Sequence, residues 1–263
     1  MLDLAVKGLS VQGRVISAVI LREIRTRFGM YHLGYLWAVL VPLMFVISLT
    51  VFFAFLGKRS AYGAPIELLL FSGMMAWLCF IDTQGHVSRA FQTNRQLLVY
   101  PMVTVVDIVI ARSALEFGTK LAATAILAII FYAAGIAMTL DDPLAVAVSM
   151  GAMVYFGATF GHIVGCALVV APSIGFGVNA VRRLLFFTSG VLFALVHVPE
   201  QWRHYLLLNP LAHLIDLARG GWITGYSAPY ADIDYVISWA IGMGATAAIM
   251  ELAVRRRRGG AMR

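Results

Sequence analysis

GYLWAVLVPLMFVISLTVFFAFL, residues 34–56, runs for 23 positions without a charged side chain. A helix rises about 1.5 Å per residue and the hydrocarbon core of a bilayer is about 30 Å thick, so roughly 20 apolar residues cross it. One such run would be an anchor, but others follow. They are 66–85, with Glu67 and Asp82 near its ends; 112–140, entered past Arg112, Glu116 and Lys120; and 233–254, ahead of four arginines at 255–258. Between them lies an uncharged tract from Leu144 to Val181, 38 residues and too long for one span. Pro172, Gly175 and Gly177 break it, giving spans at 144–171 and 181–198.

The composition agrees. The chain is 61% hydrophobic and 13% charged, with a mean hydropathy of +0.86, whereas soluble domains carry about 25% charged residues. The expected fold is therefore an all-α polytopic membrane protein with six transmembrane helices. At 28.7 kDa, residues 1–263 make one transmembrane domain with no room for a sizeable soluble one. The formal charge of +7 fits loops and lipid headgroups better than nucleic acid. Cys79 and Cys166 fall inside apolar runs and imply no disulfide framework. The long polar lead-in before Gly34 does not read as a cleavable signal.

Six spans put both termini on one side. With the N-terminus inside, fifteen of the twenty basic residues face the cytoplasm: Lys7, Arg14, Arg22, Arg25, Arg27, Arg89, Arg95, Arg112, Arg182, Arg183, Arg255 to Arg258 and Arg263. Lys58, Arg59, Arg203 and Arg219 fall outside, and Lys120 lies within the third span. The positive-inside rule then makes both ends, including the 255–263 tail, cytoplasmic.

Residues 1–33 read as an amphipathic interface helix. Ile16, Ile20, Ile24 and Phe28 recur every four residues, while Arg14, Arg22 and Arg25 cluster on another side. Glu23 and Arg27 blur that separation. The helix serves either as a lipid-held basic helix alone or as a collar for a cytoplasmic partner as well. The 89–104 segment, containing RAFQTNRQLLVYP, has an apolar side of Phe91, Leu97, Leu98 and Tyr100 and a stop at Pro101; it is an ordinary loop or a docking surface. Residues 199–230 are apolar but too short and interrupted to cross, being split at Asn209-Pro210. They fit a re-entrant hairpin before the last span, or an outer loop with a surface helix.

Gly157, Gly161 and Gly165 put three small residues on one helix face, suited to close helix packing, with a substrate contact as the lesser alternative. Arg112, Glu116 and Lys120 share a face at four-residue spacing, so Glu116 can pair with both neighbours; a cationic contact for an acidic substrate is the alternative. Asp82 is either a snorkelled end-charge or a hinge contact. Trp77, Trp202, Trp222, Tyr226 and Tyr230 suit interfacial belts or sugar-stacking platforms. The sequence has no phosphate-binding GxxxxGK[ST] loop, no HExxH, no CxxC and no mid-span carboxylate cluster. No catalytic residue, bound cofactor or metal site is therefore expected. A transporter with no energy source of its own calls for an energised partner.

RTRFGMYHLGYLWAVLVPL, residues 25–43, resembles the start of permeases of ABC exporters that move bacterial surface polysaccharides, through its basic residues followed by Leu33, Gly34, Trp37 and Pro42. Asn94, Leu97, Leu98 and Tyr100-Pro101 are similar to that family's cytoplasmic segment ahead of the third span. Asn209-Pro210, Asp216 and Arg219 are similar to its outer segment. The capsular polysaccharide exporters look closest, while O-antigen and teichoic acid permeases share much of the pattern.

The resemblance implies a multi-pass protein of the bacterial inner membrane. It implies a homodimer bound to two copies of a separate ATPase, which holds the ATP and Mg2+. Asn94, Arg95, Leu97, Leu98, Tyr100 and Pro101 would form the coupling helix. Arg22, Arg25, Arg27, Phe28, Gly34, Trp37 and Pro42 would belong to the interface helix or gate. The candidate path for a lipid-linked, acidic polysaccharide is Arg89, Lys120, Asn209, Pro210, Arg219, Trp222 and Tyr226, with Arg219 either on the path or paired with Asp216. Periplasmic and outer-membrane export proteins would be further partners. A drug-export permease keeps the architecture but changes the cargo. A secondary transporter or intramembrane enzyme acting alone would need mid-span carboxylates or histidines, and only His162 stands among the glycines.

Overall fold

The computed structural model describes residues 2–28, 34–57, 64–90 and 103–257, and is helical throughout, with no strand among them. The helices are α1 (Leu2–Phe28), α2 (Gly34–Phe55), α3 (Ile66–Ser88), α4 (Val105–Ala133), α5 (Pro143–Val170), α6 (Ile174–Thr188), α7 (Glu200–Leu206), α8 (Pro210–Trp222) and α9 (Ile233–Arg257), with one 3-10 turn at Leu195–His197. Four of them, α3, α4, α5 and α9, are long and apolar enough to cross a membrane. α2 adds an apolar stretch at Val39–Phe53, so the chain is a polytopic helical membrane protein.

α3 is the axle of the bundle: every residue from Leu68 to Phe80 is buried. It packs mainly against α5, and also against α2, α4 and α8. The approach to α5 is close because α5 presents glycines there. A Cβ at Gly157 would stand 2.4 Å from the carbonyl oxygen of Phe80, and one at Gly161 2.8 Å from that of Gln84. Backbone contact at this range lets dispersion act over the whole helix face without a hydrophobic drive from water. The packing reading of the glycine stripe therefore holds at both positions. The interior is filled by large side chains, among them Phe71, Met75, Phe80, Leu127, Met153 and Phe156. Cys79 and Cys166 are free and buried on α3 and α5.

Helix ends follow local chemistry that hydropathy does not report. Thr104 and Asp107 close a reciprocal capping box at the start of α4, so this helix begins at Val105 rather than at the expected 112. It stops at Ala133 rather than 140 because Gly135 takes φ 81°. There Ile136 N–H bonds to the Phe131 carbonyl and Gly135 N–H to that of Tyr132, both at 3.0 Å, which is a Schellman ending. Asp142 caps α5 through Leu144 N–H and Ala145 N–H, with Pro143 in the first turn.

The expected span at 181–198 differs most. The helix there is Ile174–Thr188, fifteen residues and about 22 Å long. Arg182 and Arg183 lie inside it rather than in a preceding loop. It resumes one turn after Pro172 and ends where Gly190 adopts φ 72°, leaving 190–198 as turns and the 3-10 segment. No residue of α6 is buried. By contrast α8, thirteen residues, is almost wholly enclosed, wedged chiefly between α5 and α3.

Candidate functional site

Two polar clusters sit at opposite ends of the bundle, one around Arg112 and one around Arg219. At the first, the stripe on α4 reaches neighbouring helices. Arg112 pairs with Glu23 of α1 at 2.7 Å and donates to the His86 carbonyl of α3. Glu116 lies 3.5 Å from the His86 ring. Lys120 meets Asp82 of α3 at 2.5 Å. Arg112, Glu116 and Lys120 are all buried, and charges desolvated in this way persist only with partners of opposite sign or good acceptors. The stripe thus ties three helices together, and Asp82 is a helix-to-helix contact.

His162 has a definite acidic neighbour: its Nε2 lies 3.0 Å from Glu251 Oε2 on α9, and Glu251 also pairs with Arg255 one turn on. A second polar junction therefore joins α5 to α9.

At the other end, Asn209-Pro210 has a local meaning. Asn209 Oδ1 accepts from Leu211 N–H at 3.1 Å, capping α8, and Pro210 occupies the first helical position, where an N–H is not needed. The Asn209 amide donates to Thr188 Oγ1 at 3.0 Å, pinning the end of α6. Arg219, with 0% exposure, donates to the carbonyls of Gly190 at 2.7 Å, Phe193 at 2.9 Å and Val191 at 3.1 Å. These carbonyls belong to the turns that follow α6, and that of Gly190 also accepts from Phe193 N–H at 3.4 Å. Gly73 makes room for this loop, since a Cβ there would lie 2.7 Å from the Val191 oxygen. Asp216 is occupied elsewhere, accepting from Tyr226 Oη and from Tyr230 N–H at 2.9 Å. No ion pair joins Arg219 to Asp216, which corrects that alternative. Trp222 packs edge-on against Phe71 with centroids 5.0 Å apart.

The structure thus brings Asn209, Pro210, Arg219, Trp222 and Tyr226 together as a buried cluster, and buries Lys120 as well. Arg89 is exposed at the C-cap of α3. Trp37 is exposed and Pro42 buried on α2, which begins at Gly34; Arg22 and Arg25 are exposed on α1. The side chains of Arg27 and Phe28, and all of Asn94, Arg95, Leu97, Leu98, Tyr100 and Pro101, lie outside the described residues. No group of three or more His, Cys, Asp or Glu placed to hold a metal occurs among the described residues.

A groove of about 800 Å³ runs between α5, α6, α8 and α9 and is lined by Phe80, Phe156, Phe160, Leu184, Trp239 and Met243 among others. A second of about 430 Å³ reaches His162. Both are dominated by apolar side chains. Glu23, Gln12 and Glu251 carry contacts that sequence reasoning did not assign. The signal was available for Glu23, an acid set among Arg22, Arg25 and Arg27.

The ABC-2 type transporter family matches residues 14–222. Among curated proteins, the chain is 28% identical over 238 residues to the polysialic acid transport protein KpsM of Escherichia coli, covering 90% of this chain and 92% of that one. It is 26% identical to the capsule polysaccharide export inner-membrane protein CtrC of Neisseria meningitidis, over 85% of this chain and 86% of CtrC. It is likewise 26% identical to BexB of Haemophilus influenzae, a protein of the same description, over 88% and 87%. With a match across most of its length and several apolar helices of membrane-crossing size, the chain belongs to the ABC-2 type transporter family.

Proposed function

We propose that this chain is the inner-membrane subunit of an ATP-driven exporter of capsular polysaccharide. The observation that carries the reading is the near full-length similarity to KpsM, CtrC and BexB, named for polysialic acid transport or capsule polysaccharide export. ATP with its Mg2+ is hydrolysed by a separate subunit, two copies of which dock on two copies of this chain. The coupling contact is Asn94 to Pro101, with Leu97, Leu98 and Tyr100 seated in the ATPase. The termini face the cytoplasm, and α2 and α6 join the four longer helices in crossing the membrane.

A filled interior supports the homodimer. A hydrated polymer has no route through a bundle plugged by Phe71, Phe80 and Phe156, so its path runs along the outside of one chain, against a second copy. The buried, capped α8 supports a re-entrant hairpin of α7 and α8, since irregular backbone is tolerated at membrane depth only where protein covers it. The cargo is lipid-linked and acidic, and periplasmic and outer-membrane proteins receive it.

The test is export by a strain lacking its own copy of this gene. Wild-type chain restores polymer at the cell surface, while Leu97→Glu and Tyr100→Glu lose ATPase binding because a charge would be desolvated in an apolar socket. Full export by both variants would sink the coupling assignment. Polymer at the surface of the deletion strain would sink the cargo.

A further inference from the structure

α1 meets α4 through two polar contacts. Gln12 Nε2 donates to Asp107 Oδ1 at 2.9 Å. Glu23 Oε1 accepts from Arg112 Nε at 2.8 Å and lies 2.7 Å from its Nη2. Residues 12 and 23 are about three helical turns apart and so share a face, with Val19 buried between them.

Each contact has a second half. Asp107 Oδ2 accepts from Thr104 N–H at 2.8 Å and from its hydroxyl at 2.7 Å. The carboxylate that receives Gln12 therefore also fixes the point where the chain enters α4. Arg112 donates to the carbonyl of His86, in the last turn of α3. One side chain of α1 thus reaches the start of α4 through Asp107, and another reaches the end of α3 through Arg112. These two helix ends flank residues 91–102.

We propose that Gln12 and Glu23 are positioning residues for energy coupling, bracing α1 to both helix ends so that the interface helix moves with them when an ATPase acts. The inference rests on the coupling reading given above. Its physical basis is the Glu23–Arg112 pair, whose side chains are 14% and 8% exposed. Separating them would strand both charges with little water, so α1 follows the helix ends instead of detaching. Arg14, Arg22 and Arg25 are exposed on α1 and are carried along by that motion.

The experiment co-produces the full-length chain with its ATPase in a strain lacking the native copy. It measures ATPase retained per chain, ATP hydrolysis and polymer at the cell surface. The variants are Glu23→Gln, which removes a charge; Gln12→Glu, which sets a like charge against Asp107; and Gln12→Lys, which restores an attraction. Gln12 is exposed, so its variants fold even if Glu23→Gln does not. Glu23→Gln and Gln12→Glu are expected to retain the ATPase and its turnover while polymer exported per ATP falls on the order of tenfold, as for loss of a typical coupling free energy. Gln12→Lys is expected to stay near wild type. Export per ATP unchanged in the first two variants, equal loss in Gln12→Glu and Gln12→Lys, or loss of bound ATPase in parallel with export overturns the inference alone. A wild-type complex that retains no ATPase overturns it together with the coupling reading.

Discussion

Asp82 and Lys120 meet at 2.5 Å across α3 and α4, yet they share that contact unequally: the Lys120 side chain is 7% exposed and that of Asp82 is 38%. Removing the acid strands a buried ammonium, whereas removing the base leaves a carboxylate that water can reach. Asp82→Asn should therefore destabilise the protein more than Lys120→Met, by roughly 1–3 kcal/mol against less than about 1. The double variant should sit close to wild type. Thermal unfolding midpoints in one detergent decide it; equal losses in both single variants would contradict the asymmetry.

Arg219 acts as a fork over three carbonyls, a geometry that an ammonium cannot reproduce. Arg219→Lys should already cost on the order of 3 kcal/mol, given the strength of hydrogen bonds to charged groups. Adding Asp216→Ala should not rescue stability, because Asp216 is held by Tyr226 and Tyr230. Recovery in that double variant would show that the two residues pair after all.

Asn209 has separable roles, since its oxygen caps α8 and its nitrogen holds Thr188. Asn209→Asp keeps the first and loses the second, while Asn209→Ala loses both. The expected order of stability is Asn, Asp, Ala, with about 1 kcal/mol for the lost cap. Protease accessibility of the 188–198 stretch should rise in the same order.

Gly157→Ala should destabilise by roughly 1–3 kcal/mol, because the added methyl would overlap the Phe80 carbonyl and force α3 and α5 apart. Gly177→Ala, where nothing lies within 4 Å, should be neutral or slightly favourable. Similar effects at both sites would mean that the close approach is not needed.

Long apolar periods made α2, α3, α5 and α9 readable from the chain alone, because crossing a bilayer demands length and little else. The ends were not readable to the same degree. Gly135 and Gly190 end their helices by taking positive φ, and neither changes the hydropathy of its surroundings. Thr104 and Asp107 open α4 with a capping box that precedes the run used to place it.

The polar residues were found but their partners were not. Arg112, Glu116 and Lys120 stood out by spacing, which describes one helix, while Glu23, His86 and Asp82 lie on two others. For Arg219 the sequence offers a place on the cargo path, from its position in the 199–230 segment and the family-like Asn209-Pro210, Asp216, Arg219 pattern, or a pair with Asp216 one turn away. Nothing local reveals that its guanidinium gathers the turns that follow a helix some thirty residues earlier.

That dependence has a consequence for biogenesis. Synthesis runs from the N-terminus, so α6, a fifteen-residue helix too short to settle across a bilayer by itself, is made before the arginine that binds the turns behind it. Until Arg219 follows, the carbonyls of Gly190, Val191 and Phe193 lack its guanidinium, and an arginine without such acceptors is costly to place in an apolar surrounding. Burial of the α6–α8 region is therefore favoured as one step that brings the guanidinium and its three acceptors in together.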